Sequence, residues 1–200
     1  MKRLDVLKSR KTAFAALILA VLVFTPIGVR MSFSREGAKV ERVFYGGIPG
    51  ESYTKPPIDA QLNTYAEAML GYATVAAKYP DLAGGAEAML AARRELLSAE
   101  TAMEKYRAFI DLTQAYYGVH EIIISASRQQ NDYDAWNDYG STRHGANMYI
   151  KGVVKEYNDR VDRLLNMAEK FPIRYLGGGL ARYSLEELRF GDSYDWLEWT

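Results

Sequence analysis

The chain has 200 residues, 48% of them hydrophobic and 25% charged, a composition that folds and is too apolar for a disordered state. Its 25 basic and 25 acidic side chains cancel, which argues against a nucleic-acid-binding protein or a polyacidic tail protein. With no cysteine, disulfides, thiolate metal sites, cysteine nucleophiles and lipidated-cysteine anchors are all excluded.

After a basic segment, residues 1–11, the stretch from Thr12 to Val29 is an uncharged run of 18 residues. As a helix it reaches about 27 Å, close to the hydrocarbon thickness of a bilayer. Residues 12–30 are therefore read as a transmembrane helix, with Pro26 and Gly28 at its far end, where a loosened backbone can turn to water and headgroups. A cleaved signal peptide is the competing reading. No small-x-small motif directly follows Val29, and signal h-regions run about 7 to 15 residues, so a retained single-pass anchor is expected. Lys2, Arg3, Lys8, Arg10 and Lys11 precede the run, against Arg30, Arg35 and Lys39 after it. That asymmetry predicts a cytoplasmic N-terminus and a body outside the cell membrane. The neutral total is thus a cancellation: residues 1–39 carry a net +6 and residues 40–200 a net −6.

Residues 31–55 read as a juxtamembrane helix, Met31 to Tyr45, followed by a Pro/Gly linker that ends at Pro56-Pro57. Residues 56–176 read as the folded body. Ile58, Leu62, Tyr65, Met69, Tyr72, Val75, Ala76 and Tyr79 are spaced by threes and fours, the face of a helix that stops at Tyr79-Pro80. From Ala86 to about Ser127 a long helix is expected, with a break near Ser98 to Thr101. Ala102, Tyr106, Phe109, Thr113, Tyr116, His120 and Ile123 alternate steps of four and three, a buried coiled-coil-like seam. The β-branched run Ile122-Ile123-Ile124 is read as helix. A last helix starts near Asp132 to Asp134, whose carboxylates cap and solvate it, and runs to Phe171-Pro172 on Val153 or Val154, Tyr157, Val161, Leu164, Ala168 and Phe171. The expected fold is all-α: an N-terminal transmembrane helix and an elongated antiparallel bundle of three to four long helices. Residues 177–200 are a Gly177-Gly178-Gly179 hinge and an acidic, aromatic tail, net −4 from Tyr183 onward.

No pattern for chemistry is complete. His120 and His144 lie on different helices without the i, i+3 or i, i+4 spacing of metal ligands, so no metal, cofactor or catalytic residue is assigned. Asp132, Asp134 and Asp138 resemble the start of a calcium loop, but Trp136 and Asn137 occupy the positions that need an oxygen ligand and glycine. The triple glycine lacks the following Gly-Lys-Ser/Thr of a phosphate loop. Tyr65, Tyr72, Tyr79, Tyr106, Tyr116 and Tyr157 fall at core spacing. Tyr194, Trp196 and Trp199 alternate with acids in the tail, either as a docking surface for a protein partner or as a clasp folded back on the bundle.

Tyr157-Asn158, then Val161, then Phe171-Pro172, with Ile150 seven residues before the tyrosine, resembles the pattern that closes members of the LemA family. Ala92-Arg93 followed by Ala99 is similar to the Ala-Arg region of the same family, and the N-terminal anchor fits as well. The likeness covers roughly residues 58 to 176. It departs at Leu165, where the family carries a second asparagine, and at Asn147 and Val154, where it carries Glu and Arg. The resemblance implies a membrane-anchored helical bundle with no established enzymatic activity or cofactor. The expected function is a membrane-anchored interaction or scaffold protein, not an enzyme, with an unidentified protein partner and self-assembly into a homo-oligomer as a third class. The alternative is a small-ligand sensor or enzyme with a pocket inside the bundle near His120.

Overall fold

A computed structural model describes residues 10–50, 52, 54–170, 175 and 188–191. The fold is all-α, with five helices among the described residues: α1 (Arg10–Gly46), α2 (Ile58–Ala76), α3 (Ala83–Ser98), α4 (Ala102–Ser125) and α5 (Gln130–Ala168). One two-stranded antiparallel ribbon, β1 (Ile48–Pro49) and β2 (Thr54–Lys55), lies between α1 and α2.

The expected transmembrane helix, residues 12–30, and the juxtamembrane helix, Met31 to Tyr45, both fall on α1. It is one helix of 37 residues that passes through Pro26. Proline costs a helix one backbone bond and a clash one turn back, yet helices in apolar surroundings tolerate it where neighbouring groups re-satisfy the freed carbonyl. α1 is long and apolar enough to cross a membrane, and none of its most apolar window is buried. Its second half behaves differently: Phe33, Val40 and Phe44 are buried, on one face, while Arg35, Lys39 and Arg42 are exposed.

The Pro/Gly linker holds a small hairpin. Ile48 pairs with Lys55 and Pro49 with Thr54. Gly47 enters it at φ +91, and a Cβ there would lie 2.2 Å from the Lys55 carbonyl oxygen, so only glycine fits the turn out of α1.

α2 buries Ile58, Leu62, Tyr65, Met69, Tyr72, Val75 and Ala76 as its spacing predicts, but it ends at Ala76, so Tyr79 lies half-buried in the turn that follows rather than on the helix. The break in the long helix is also found, between α3 and α4. Thr101 explains it: its hydroxyl accepts from the Glu104 amide at 3.2 Å while the Glu104 carboxylate takes the Thr101 amide at 3.1 Å. This reciprocal cap satisfies donors that a helix start leaves open and fixes where α4 begins. Within α4 the core face is centred on Phe109, Leu112, Tyr116, Val119 and Ile123, so the seam drawn through Tyr106, Thr113 and His120 marks one edge of it.

α5 begins at Gln130, and its cap residue Gln129 makes no side-chain cap bond. Asp132 neither caps nor faces solvent. It is buried, and its carboxylate accepts from Lys78 Nζ and from the Tyr79 hydroxyl, both at 2.7 Å, tying α5 to the turn after α2. The helix ends at Ala168, three residues short of Phe171; Phe171, Pro172 and Gly177 to Gly179 lie outside the described residues.

α2 packs against α3 and α5, and α3 against α4. Contacts of Tyr79 with Asp132, and of Tyr149 with the Pro56 carbonyl at 3.2 Å, place α2 and α5 antiparallel. Tyr65 on Phe109 and Tyr72 on Tyr116 set α2 parallel to α4 across the core. α1 joins through Phe44, which meets Tyr157 of α5 at 5.4 Å. Lys105 is the buried cation of the α2–α4 contact, 3.0 Å from the Asp59 carboxylate.

Thr101→Ala removes one arm of the cap and is expected to cost about 1 kcal/mol, read as a lowered midpoint in chemical denaturation with an unchanged slope.

Candidate functional site

Tyr157 and Asn158 grip the chain's own C-terminal segment. The Asn158 amide is 2% exposed; its Nδ2 donates to the Phe190 carbonyl and its Oδ1 accepts from the Phe190 amide, each at 3.0 Å. One side-chain amide thus pairs with both polar groups of a residue, as a neighbouring strand does, and the pairing fixes which end of the amide is oxygen. The Tyr157 hydroxyl donates to the Leu188 carbonyl at 2.6 Å. Burial raises the pKa of that hydroxyl, so it stays a donor.

The clasped segment carries an apolar plug. Phe190 is fully buried against Tyr106 at 5.4 Å, Phe44 at 5.8 Å and Phe109 at 6.2 Å, where α1, α4 and α5 meet. Gly191 follows at φ +89, with the Tyr106 ring 2.8 Å from where a Cβ would be, so the exit from the pocket requires glycine. Arg189 reaches Asp162 at 3.3 Å on the rim. Residues 188–191 therefore fold onto their own bundle, while Tyr194, Trp196 and Trp199 lie outside the described residues.

The other signature residues do different work. Ile150 and Val161 are fully buried on α5, and Ala92 is buried on α3. Arg93 donates from Nε to the Ala66 carbonyl at 2.9 Å and pairs with Glu67, locking α3 to α2. These residues assemble helix contacts and the clasp, and the structure does not gather them into one reaction centre.

A second constellation surrounds His120. Its Nδ1 lies 2.8 Å from the Tyr72 hydroxyl, and its ring stacks on Tyr116 at 5.2 Å and 16°. Trp136 donates from Nε1 to the Tyr72 carbonyl at 3.3 Å and completes the aromatic wall. Desolvation, then the charge of Arg143, lowers the His120 pKa, with Glu121 opposing. His144 is exposed, and no group of three His, Asp or Glu side chains that could hold a metal occurs among the described residues.

Arg143 is the residue that pattern reading passes over. It is 7% exposed, its guanidinium carbon sits 4.2 Å over the Tyr116 ring and 5.8 Å from Tyr117, and its Nε and Nη1 have no hydrogen-bond partner. A signal for it exists. Trp136, Arg143, Ile150, Tyr157 and Leu164 recur every seven residues and are all buried, so arginine occupies a core position of a regular stripe.

Comparison with protein-family models, curated proteins and solved structures returns no match, so the LemA resemblance stands on the quoted residues alone.

Asn158→Ala leaves both polar groups of Phe190 without their partner, at roughly 1–3 kcal/mol for each buried group left unpaired. The variant is expected to show faster amide exchange at Phe190 and faster tryptic cleavage after Arg189, followed by mass spectrometry. His120 gives a pH signature. With its folded pKa below the ordinary 6.5, the folded state binds fewer protons than the unfolded one, so stability is level above about pH 6.5 and falls as pH drops below it. The carboxylates with lowered pKa, Asp81, Glu104, Asp132 and Glu156, act only nearer pH 4. His120→Gln is therefore expected to flatten the denaturation midpoint between about pH 5 and 6.5.

Proposed function

We propose that the chain is a single-pass membrane protein, LemA-like in kind, whose bundle stands outside the cell membrane and acts as an interaction scaffold with no bond chemistry of its own. The observation that carries this reading is the clasp. Tyr157 and Asn158 spend two buried polar side chains on holding residues 188–191, the residues directly before the acidic aromatic stretch 192–200. A fixed attachment point restricts the volume that such a stretch explores and lowers the entropy lost when a partner binds it. Tryptophan and tyrosine supply contact area, and the surplus of acid selects a basic docking face.

The exposed apolar half of α1 supports the anchor, and the cation asymmetry around it supports a cytoplasmic N-terminus. The acidic body, net −6 over residues 40–200, fits a domain weakly repelled by anionic headgroups and held at a distance from them.

Crosslinking in native membranes, followed by affinity capture of the full chain and of a chain ending at Gly191, tests the scaffold. The expected outcome is loss of specific partners from the shorter chain, and from Trp196→Ala/Trp199→Ala in the full one. An unchanged partner set means that residues 192–200 do not dock.

A further inference from the structure

We propose that residues 188–191 are a bolt between α1 and the bundle: the top of α1 is held firmly only while this segment is clasped, so drawing the segment out loosens α1. The inference rests on the scaffold reading for what draws on the segment, since the stretch 192–200 leaves the pocket directly after Gly191. The coupling itself rests on the geometry of the pocket.

Three helices build its walls. Phe44 comes from the last turn of α1, Tyr106 and Phe109 from α4, and Tyr157 and Asn158 from α5. The α1 backbone approaches α5 and α2 and comes far less near α4, so the Phe190 ring fills the space and bridges Phe44 to Tyr106 and Phe109. Phe44 is 1% exposed, and apart from its chain neighbour Tyr45 the rings packed on it among the described residues are Tyr157 and Phe190. Withdrawal of Phe190 therefore strips one side of Phe44 and leaves a gap that the three helices close only by shifting.

The hold on the segment comes from α5 and not from α1. Asn158 takes both backbone groups of Phe190, and Tyr157 takes the Leu188 carbonyl. The polar ties of α1 and its hairpin to the bundle are open to water: the Tyr45 hydroxyl on the Glu100 carbonyl, and Lys55 on Glu156 with both side chains more than a third exposed. Such contacts add little net stability. Phe33 and Val40 lie three turns and one turn nearer the apolar run, so α1 opens from its Phe44 end. Two elements that share one plug are coupled reciprocally: an open clasp loosens α1 by the factor by which an undocked α1 loosens the clasp. A partner that pulls residues 188–191 from the pocket thereby acts on the apolar helix without rearranging the α2–α3 core.

Hydrogen–deuterium exchange of the full-length protein in mild detergent tests the coupling. In the unaltered chain the amides of residues 40–46 and of Phe190 are expected to open as one unit, with a common dependence on added denaturant, apart from α2 and α3. Asn158→Ala removes the hold on the segment and is expected to speed exchange over residues 40–46 by roughly 5-fold or more; Phe44→Ala should speed exchange at Phe190 by a similar factor. Phe190→Leu, a milder change, should give the same pattern on a smaller scale. Asp132→Asn weakens the other end of the bundle, about 39 Å away along α5, and should leave the ratio of exchange between residues 40–46 and α2 unchanged. The proposal is overturned if Asn158→Ala and Phe190→Leu expose the segment while residues 40–46 keep wild-type protection, or if Asp132→Asn loosens them equally. Failure of the scaffold reading shows instead in the captured partner set, which this readout does not use.

Discussion

The architecture depends on a mismatch of lengths. α5 has 39 residues and spans about 58 Å, whereas α2, its main partner in the bundle, has 19 and spans about 28 Å. An amphipathic helix that outruns its partner leaves an apolar stripe in water. Tyr157, Val161, Leu164 and Ala168 are that surplus stripe, and all four are buried. The second half of α1 supplies a cover through Phe33, Val40 and Phe44. The N-terminal helix is thereby a structural member of the body as well as its extension. Where α1, α4 and α5 converge a triangular gap remains, and Phe190 plugs it.

Polar contacts are placed where the apolar packing changes hands. At one end of the bundle Asp132 joins Lys78 and Tyr79, and Arg128 pairs with Asp81 while lying 4.7 Å over the Tyr79 ring. This knot ties the turn after α2 to the start of α5. At the junction with α1, Lys55 meets Glu156 at 2.9 Å and the Tyr45 hydroxyl donates to the Glu100 carbonyl at 2.6 Å. Such pairs add little net stability where water reaches them, but each excludes a slipped register of one helix against the next.

Local periodicity made α2, the break before α4 and the second half of α5 legible, because each depends on neighbours within a turn or two. The reciprocal cap is local as well: Thr101 and Glu104, three residues apart, are the pair that a capping box requires. Partners far apart in sequence were not legible: Asp132 reads as a solvated cap until Lys78 is placed beside it, and nothing around Asn158 in the chain points to Phe190, 32 residues on. Pro26 and Gly28 mark the far end of the apolar run, yet α1 continues past them to Gly46, and its later turns bury Phe33, Val40 and Phe44. The first half of α5 reads polar, which hid Trp136 and Arg143.

The continuity of α1 has a mechanical consequence. From Arg30 to Gly46 the helix extends about 25 Å beyond the apolar run, with no loop to absorb rotation before Phe44 locks against Tyr157. In the proposed membrane setting, a stiff stalk fused to both bilayer and bundle converts any change in tilt below into the same change of attitude above. Bilayer thickness alters tilt, because a helix longer than its slab leans. The lipid in which the protein resides would thus set the angle at which the bundle faces its surroundings, as a mast leans with its deck.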